Sequence, residues 1–513
     1  MKRFVKRHES RIIGMIAGFD RVLFRGTLRS ICYPEGLNRF LCRQGVLLKD
    51  FGKFSLKLSR QVKVQAQTIA EQEGRPFIYV ASAKQSKEKL AQQIMERDGV
   101  QEGLICVLEC VEPCPSFSVR GDHQTKRLKL VAEQRKCAHF YFYYRHREFG
   151  FMHVRLQSWL PLSIQVCLNG REYLAKQMHK AGVGFVQAEN CFTQIDNFAK
   201  AQLLLDRLLC LNWKRCLDPL GRRVNPWLDP KGEVVFWRYY WTIRESEFAT
   251  DIIFKDPESL AEIYPTLVNH AIQGMSCKDV LRFLGRRINC RFNGAVTVNL
   301  RERPEGVRVK HWVEENSIKM YDKMGSVLRV ETTINNPGRL RIRRRASRKG
   351  KTLMQWLPMR KSIADTRRRA EIGRAANERY LEALAVVGAP KPSCQLFDQV
   401  SKPVQSTGRS FRALRPISPE DSQLFQIIMS GEFQFQGVRN RDLRAQLFPD
   451  LEPDPIVCRQ QSSRITRSLR LLREHKLIFK VPKTNYYRIT NQGHQLMATA
   501  LKFRQTDLAL LAA

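Results

Sequence analysis

The segment NSIKMYDKMGSVLRVETTINNP, residues 316–337, gathers Tyr321, Asp322, Lys323, Arg329 and Glu331 into one short stretch of a very basic chain. Two alternating runs around a short turn predict a β-hairpin, and a period of two fixes its faces. Arg329, Glu331 and Thr333 share one side of the second strand, with Leu328, Val330 and Ile334 on the other. On the first strand Lys319, Tyr321 and Lys323 alternate with Ile318, Met320 and Asp322. Carboxylates suit Mg²⁺ or Mn²⁺, while arginine and lysine suit a phosphate. A hydrolytic site would take Glu331, Asp322 and Asp251 as metal ligands and Arg329 to neutralise the phosphate. Tyr321 or a metal-activated water would be the nucleophile. Alternation puts Asp322 opposite Glu331 unless a bulge intervenes. A plain salt bridge between Arg329 and Glu331 explains the pair equally well.

Other strands must position such a site. In FMHVRLQ, Met152, Val154 and Leu156 fall on one face and His153, Arg155 and Gln157 on the other, so His153 and Arg155 either line the cleft or face solvent. The run VVFWRYYWTIRESEFATDIIF supplies Glu245, Glu247 and Asp251, and GFDR supplies Asp20, for which the sequence offers no partner. Cys106, Cys110 and Cys114 in CVLECVEPC are evenly spaced but lack a fourth ligand, and read as buried free thiols. The run RLRIRRRASRKGK follows the hairpin, and Arg341, Arg343, Arg344 and Arg345 are expected on phosphates.

These elements predict an α/β chain. An N-terminal α/β segment (1–100) precedes a body with mixed or antiparallel sheets (101–385), a linker rich in Pro, Gly and Ser (386–416), and a C-terminal module (417–513). In that module SPEDSQLFQIIM, VRNRDLRAQLF and CRQQSSRITRSLRLLREHKLI read as three helices, and LIFKVPKTNYYRIT as a hairpin. The order resembles winged helix-turn-helix domains. That resemblance implies base contacts from Ser463, Arg464, Arg467 and Arg470 and backbone contacts from Lys480 and Lys483.

Charge points the same way. The 513 residues carry 88 Lys and Arg against 49 Asp and Glu, a net charge of +39, and a polyanion is the natural partner. DNA is the first expectation and RNA the second. No apolar run reaches the roughly 18 residues of a membrane span, and a cytoplasmic protein with no membrane partner is expected. The segment SIKMYDKMGSVLRVETTI is similar to the Tyr-Asp-Lys … Arg-x-Glu segment of plasmid and phage rolling-circle replication initiators. The resemblance implies a metal-dependent nickase or endonuclease of a mobile element. Its departures are the absence of an upstream tyrosine in GVRVKHWVEENS and of a His-hydrophobe-His motif. The competing expectation is a non-catalytic DNA- or RNA-binding protein, such as a winged-helix regulator or a structural RNA partner.

Overall fold

The computed structural model describes the chain except residues 83, 123, 125, 229–237, 287–295, 304–305, 349–350, 386–392, 407, 431–436, 450–453, 483 and 506–513. It forms two compact units, Met1–Val387 and Gly388–Ala513. Thirteen strands of the first unit matter for the site. They are β1 (Ile12–Thr27), β2 (Phe77–Tyr79), β3 (Gly103–Asp122), β4 (Arg127–His146), β5 (Gly150–Gln157), β6 (Ile164–Asn169) and β7 (Phe185–Ala188). The rest are β8 (Cys191–Ile195), β9 (Tyr240–Phe254), β10 (Val296–Arg303), β11 (Gly306–Val313), β12 (Asn316–Lys323) and β13 (Val327–Ile334).

All but the β7–β8 hairpin join one eleven-stranded sheet in the order β10-β11-β12-β13-β9-β1-β6-β5-β4-β3-β2. Every pairing in it is antiparallel except β2 with β3. A mixed α/β body is therefore as expected, but residues 1–100 are not a separate segment. β1 is a central strand, paired with β6 on one side and β9 on the other.

One face of the sheet carries the main cores. Met152, Val154 and Leu156 are buried there as alternation requires, in the same core as Leu37, Leu41, Leu58 and Val62 of helices Pro34–Arg43 and Phe51–Gln72. Further along, Leu328 and Val330 share a core with Tyr380, Leu381 and Leu384 of helix Thr366–Leu384. Each such buried leucine contributes roughly 1.5–3 kcal/mol. That helix is pinned by Asn377, whose amide donates to the carbonyls of Phe248 and Val330. Gly373 lets it approach, since a Cβ there would lie 2.6 Å from Phe248.

The arginine-rich run forms a separate two-stranded ribbon, β14 (Arg341–Arg348) with β15 (Lys351–Pro358). Its base is anchored by buried Ile342. Arg341, Arg343 and Arg345 are exposed on the face that also carries Met354 and Trp356. No helix among the described residues is long and apolar enough to cross a membrane.

In the second unit, the stretch expected as linker is largely structured. Helix Ser393–Val400 and the small pair β16 (Val404–Ser406) with β17 (Arg409–Phe411) lead into Leu414, and Val400 and Leu414 belong to that unit's core. Helices Pro419–Ile428, Asn440–Leu447 and Pro455–Glu474 follow, then β18 (Ile478–Lys480) paired with β19 (Tyr487–Ile489), and helix Asn491–Gln505. Buried Ile465, Leu469 and Leu472 form the inner stripe of the 455–474 helix. Ser463, Arg464 and Arg467 are exposed on it, and Lys480 is exposed on β18, whereas Arg470 is half-buried with its guanidinium 5.3 Å from the Phe411 ring centre. Lys483 lies outside the described residues.

Candidate active site on the central strands

Antiparallel partners point to the same face of a sheet, so the strand registers define rows across it. One row runs Lys310, Lys319, Glu331, Ala249, Gly18. A second runs Arg308, Tyr321, Arg329, Asp251, Ile16, and a third Trp312, Ser317, Thr333, Glu247, Arg21. The hairpin faces thus agree with the alternation, and Glu247 and Asp251 join them from β9.

Asp20 arrives through an irregularity. The β1–β9 register shifts between Phe19 and Arg21, so Asp20 is the extra residue of a bulge, a device that re-aims a side chain. Its carboxylate accepts hydrogen bonds from Arg329 at 3.0 Å and from the Asn190 amide at 2.9 Å. Gly170 presses on this bulge, where a Cβ would sit 1.8 Å from the Phe19 carbonyl oxygen. The Asn169 side chain caps the helix beginning there by accepting from the N–H groups of Arg171 and Glu172. The sequence LNGRE therefore seats Arg171 over the sheet.

Two layers of charge result. The inner layer is a clamp around Asp251, which is fully buried. Arg329 donates to both its oxygens, at 2.6 and 2.8 Å, and Arg171 lies 2.9 Å away. Burial works against the charge of Asp251, but Arg171 and Arg329 outweigh it and hold the carboxyl below its usual range. Arg329 also donates to the Asn190 carbonyl at 2.7 Å. Asp251 is therefore not a metal ligand, and Arg329 is not a phosphate contact, because each is fully occupied by buried partners. Asp322 fails for a different reason. It pairs with Leu328 on the opposite face, so it cannot share an ion with Glu331.

The outer layer is a carboxylate triad. Oxygens of Asp20, Glu247 and Glu331 lie within 4.8 Å of one another, on three adjacent strands. Lys319 Nζ is 2.7 Å from Glu331 and 3.8 Å from Glu247. Arg21 pairs with Glu245 at 2.6 Å and Glu247 at 3.2 Å. Tyr321 donates its hydroxyl to Glu331 at 3.0 Å. Burial, then the neighbouring Glu247, push the Glu331 carboxyl up from its ordinary range. Burial and Glu331 likewise push Tyr321 far above a free phenol, so Tyr321 stays protonated and steadies Glu331. Glu331 Oε1 is the oxygen that meets Lys319 Nζ, and the buried hydroxyls of Ser317 and Thr333 in the Glu247 row have no hydrogen-bond partner among the described residues.

Carboxylates at this spacing match the hard-oxygen set of a Mg²⁺ or Mn²⁺ ion. The unpartnered hydroxyls beside them fit a hydrated ion, since such groups are normally satisfied by water or a ligand. Lys310 extends the basic rim. Burial, then Lys319 and Arg308, bring its ammonium down to about 8, and it lies 3.6 Å from the centre of the Trp312 ring.

His153 and Arg155 are elsewhere. β5 lies four strands from β13, roughly 19 Å at ordinary strand spacing, so His153 shares no ion with Glu331. Its ring sits 5.6 and 5.1 Å from those of Tyr141 and Tyr143, and burial with Arg155 and Arg21 lowers it to about 4, leaving it neutral near pH 7. Arg155 is held by Glu112 at 2.7 Å.

Asp20, Glu247, Arg21 and Arg171 take part in this site without a motif in the sequence that assigns them to it. A lone acid in an apolar strand, as in IIGMIAGFDRVLF, is a usable signal, because a buried carboxylate requires partners. Against family models, curated proteins and solved structures the chain finds no significant match, so its own geometry carries the functional reading.

Proposed function

We propose that the protein is a metal-dependent nucleic-acid-processing enzyme that cleaves phosphodiester bonds, with a C-terminal unit that binds the polymer. The observation that carries this reading is the Asp20–Glu247–Glu331 triad set within lysines and arginines of a chain of net charge +39. These three residues would hold a Mg²⁺ or Mn²⁺ ion, whose chemistry is to polarise the phosphate and to acidify a bound water. Lys319 and Arg21 would take up the developing phosphate charge, and Tyr321 would keep Glu331 oriented. A water nucleophile is favoured over Tyr321, whose phenol is held neutral.

DNA is the preferred polymer and RNA the second. The helix–helix–helix–hairpin order of residues 419–489 supports a winged-helix reading, with Ser463, Arg464 and Arg467 on the exposed face of its long helix. The exposed arginines of β14 suit the phosphate backbone. A specific observation favours a second reading: Lys319 already sits on Glu331, as in a closed ion network of a non-catalytic binder.

One experiment separates the two. Supercoiled DNA, single-stranded DNA and single-stranded RNA are incubated with the protein in Mg²⁺, Mn²⁺ or EDTA, beside Glu331→Gln and Asp20→Asn. Metal-dependent cleavage that both variants lose supports the enzyme. Retained binding with no cleavage in any arm rejects it in favour of the binder.

A further inference from the structure

A second cluster lies on the β3–β4 hairpin, three strand spacings and more from the triad. Ligand atoms of Cys114, Cys137 and His139 all lie within 4.8 Å of one another, and the three residues are 3 %, 8 % and 1 % exposed. The two sulfurs are 3.2 Å apart, far beyond the roughly 2.05 Å of a disulfide bond. His139 Nδ1 lies 4.0 Å from the Cys137 sulfur and 3.1 Å from the Cys137 carbonyl oxygen. The backbone N–H of Trp159 adds a hydrogen bond to Cys137.

Two ligands two residues apart on one strand and a third from the neighbouring strand make a compact three-point set. Zn–S bonds of about 2.3 Å and Zn–N bonds of about 2.0–2.1 Å put tetrahedral donors roughly 3.3–3.8 Å apart. The observed S–S spacing of 3.2 Å and S–N spacing of 4.0 Å bracket that range.

The rest of the thiols on β3 behave differently. Cys106 and Cys110 belong to the core that includes Ala91 and Ile94 of helix Lys87–Arg97, and burial pushes each thiol up to about 12. Cys114 instead faces Cys137 and His139 across the hairpin. Of the evenly spaced trio in CVLECVEPC, Cys114 is the one that joins a group of three ligand-type side chains among the described residues. Charge also favours a divalent ion: two thiolates and a neutral imidazole around Zn²⁺ are neutral overall, as a buried site requires.

We infer that Cys114, Cys137 and His139 bind a single Zn²⁺ ion, with the fourth position taken by an exogenous donor such as water. Binding releases two thiol protons as two Zn–S bonds form. The site is separate from the carboxylate triad, whose oxygen donors prefer hard cations.

The test is zinc content of the full-length protein purified without chelator, followed by exchange with Co²⁺. The expected result is about one zinc per chain and, with Co²⁺, thiolate-to-metal charge-transfer absorption with the visible bands of a four-coordinate site. Cys114→Ser and Cys137→Ser should lose those bands, while Cys106→Ser and Glu331→Gln keep them. His139→Cys, which retains a ligand, should keep a shifted spectrum and guards against loss by misfolding alone. A folded wild-type chain without zinc and without thiolate–cobalt bands overturns the inference. So do bands that survive Cys114→Ser, or a Cys114–Cys137 disulfide in the protein as isolated under reducing conditions.

Discussion

Arg329→Met tests whether the inner layer of charge is scaffold. The guanidinium is wholly buried and makes four hydrogen bonds, two to Asp251, one to Asp20 and one to the Asn190 carbonyl. Methionine fills a similar volume, so the cavity contribution is small and the lost charge dominates. Removing one partner of a buried ion pair costs about 3–5 kcal/mol, because the other charge is left uncompensated. Asp251 keeps Arg171 at 2.9 Å, and Asp20 keeps Asn190, which places the expected loss near the lower end, about 3 kcal/mol. Urea unfolding followed by circular dichroism reads this as a midpoint lowered by about 1 M for a slope near 3 kcal/mol/M. Arg329→Met combined with Asp251→Leu should cost less than the sum of the two single losses, although it leaves Arg171 with only Asp20 at 4.0 Å and so does not restore the stability. A cost under about 1 kcal/mol, or no coupling between the two positions, refutes the clamp. It would return Arg329 to the phosphate-binding role that its place in the sequence suggests.

The outer layer behaves oppositely. Glu331 has a raised carboxyl pKa in the folded chain, so between the unfolded value of about 4.3 and the folded one the native state binds more protons. Metal-free stability should therefore fall as pH rises through that window, and thermal scans of Glu331→Gln should lack this slope and any stabilisation by Mn²⁺. On the proposed reading a divalent ion would compete with Lys319 for the same Glu331 oxygen. Lys319→Met should therefore tighten Mn²⁺ binding by calorimetry yet slow metal-dependent cleavage, and weaker Mn²⁺ binding would contradict this arrangement. In the second unit, Arg464→Ala with Arg467→Ala should weaken DNA binding and reduce its salt slope by about 1.8, read by fluorescence anisotropy across salt concentrations. Arg470→Ala, stacked on Phe411, should act on thermal stability more than on that slope.

Local alternation read the hairpin correctly. Lys319, Tyr321, Arg329 and Glu331 do share a face, Asp322 is on the other, and Leu328, Val330 and Ile334 are core. The same period placed Met152, Val154 and Leu156. Strand order was not legible, because it is set by pairings between distant segments: β1 lies beside β9, more than 200 residues on, and Arg329 meets Asp20 across 309 residues. A one-residue bulge decides where Asp20 points, and no local pattern in GFDR marks it. Cys114 and Cys137 show the same limit, since their contact depends on the register of β3 with β4.

Position across the sheet also explains why two charged rows differ in how far they are closed over. The row of Arg329 and Asp251 is closed over by the chain itself: Arg171 comes from the helix that Gly170 allows to touch β1, and the Asn190 carbonyl comes from the turn between β7 and β8. Its charges are matched in place and serve to hold β13, β9 and β1 in register. Two rows further along, beyond the row of Lys319 and Glu331, the Glu247 row keeps Arg21 exposed and leaves the Ser317 and Thr333 hydroxyls without partners among the described residues. Lys319 supplies the single ammonium on Glu331 among the described residues, and on the proposed reading a doubly charged ion would displace it. The clamp ties together the three strands that carry Asp20, Glu247 and Glu331, and on the proposed reading the incompletely matched groups beside it are the ones a metal ion would engage.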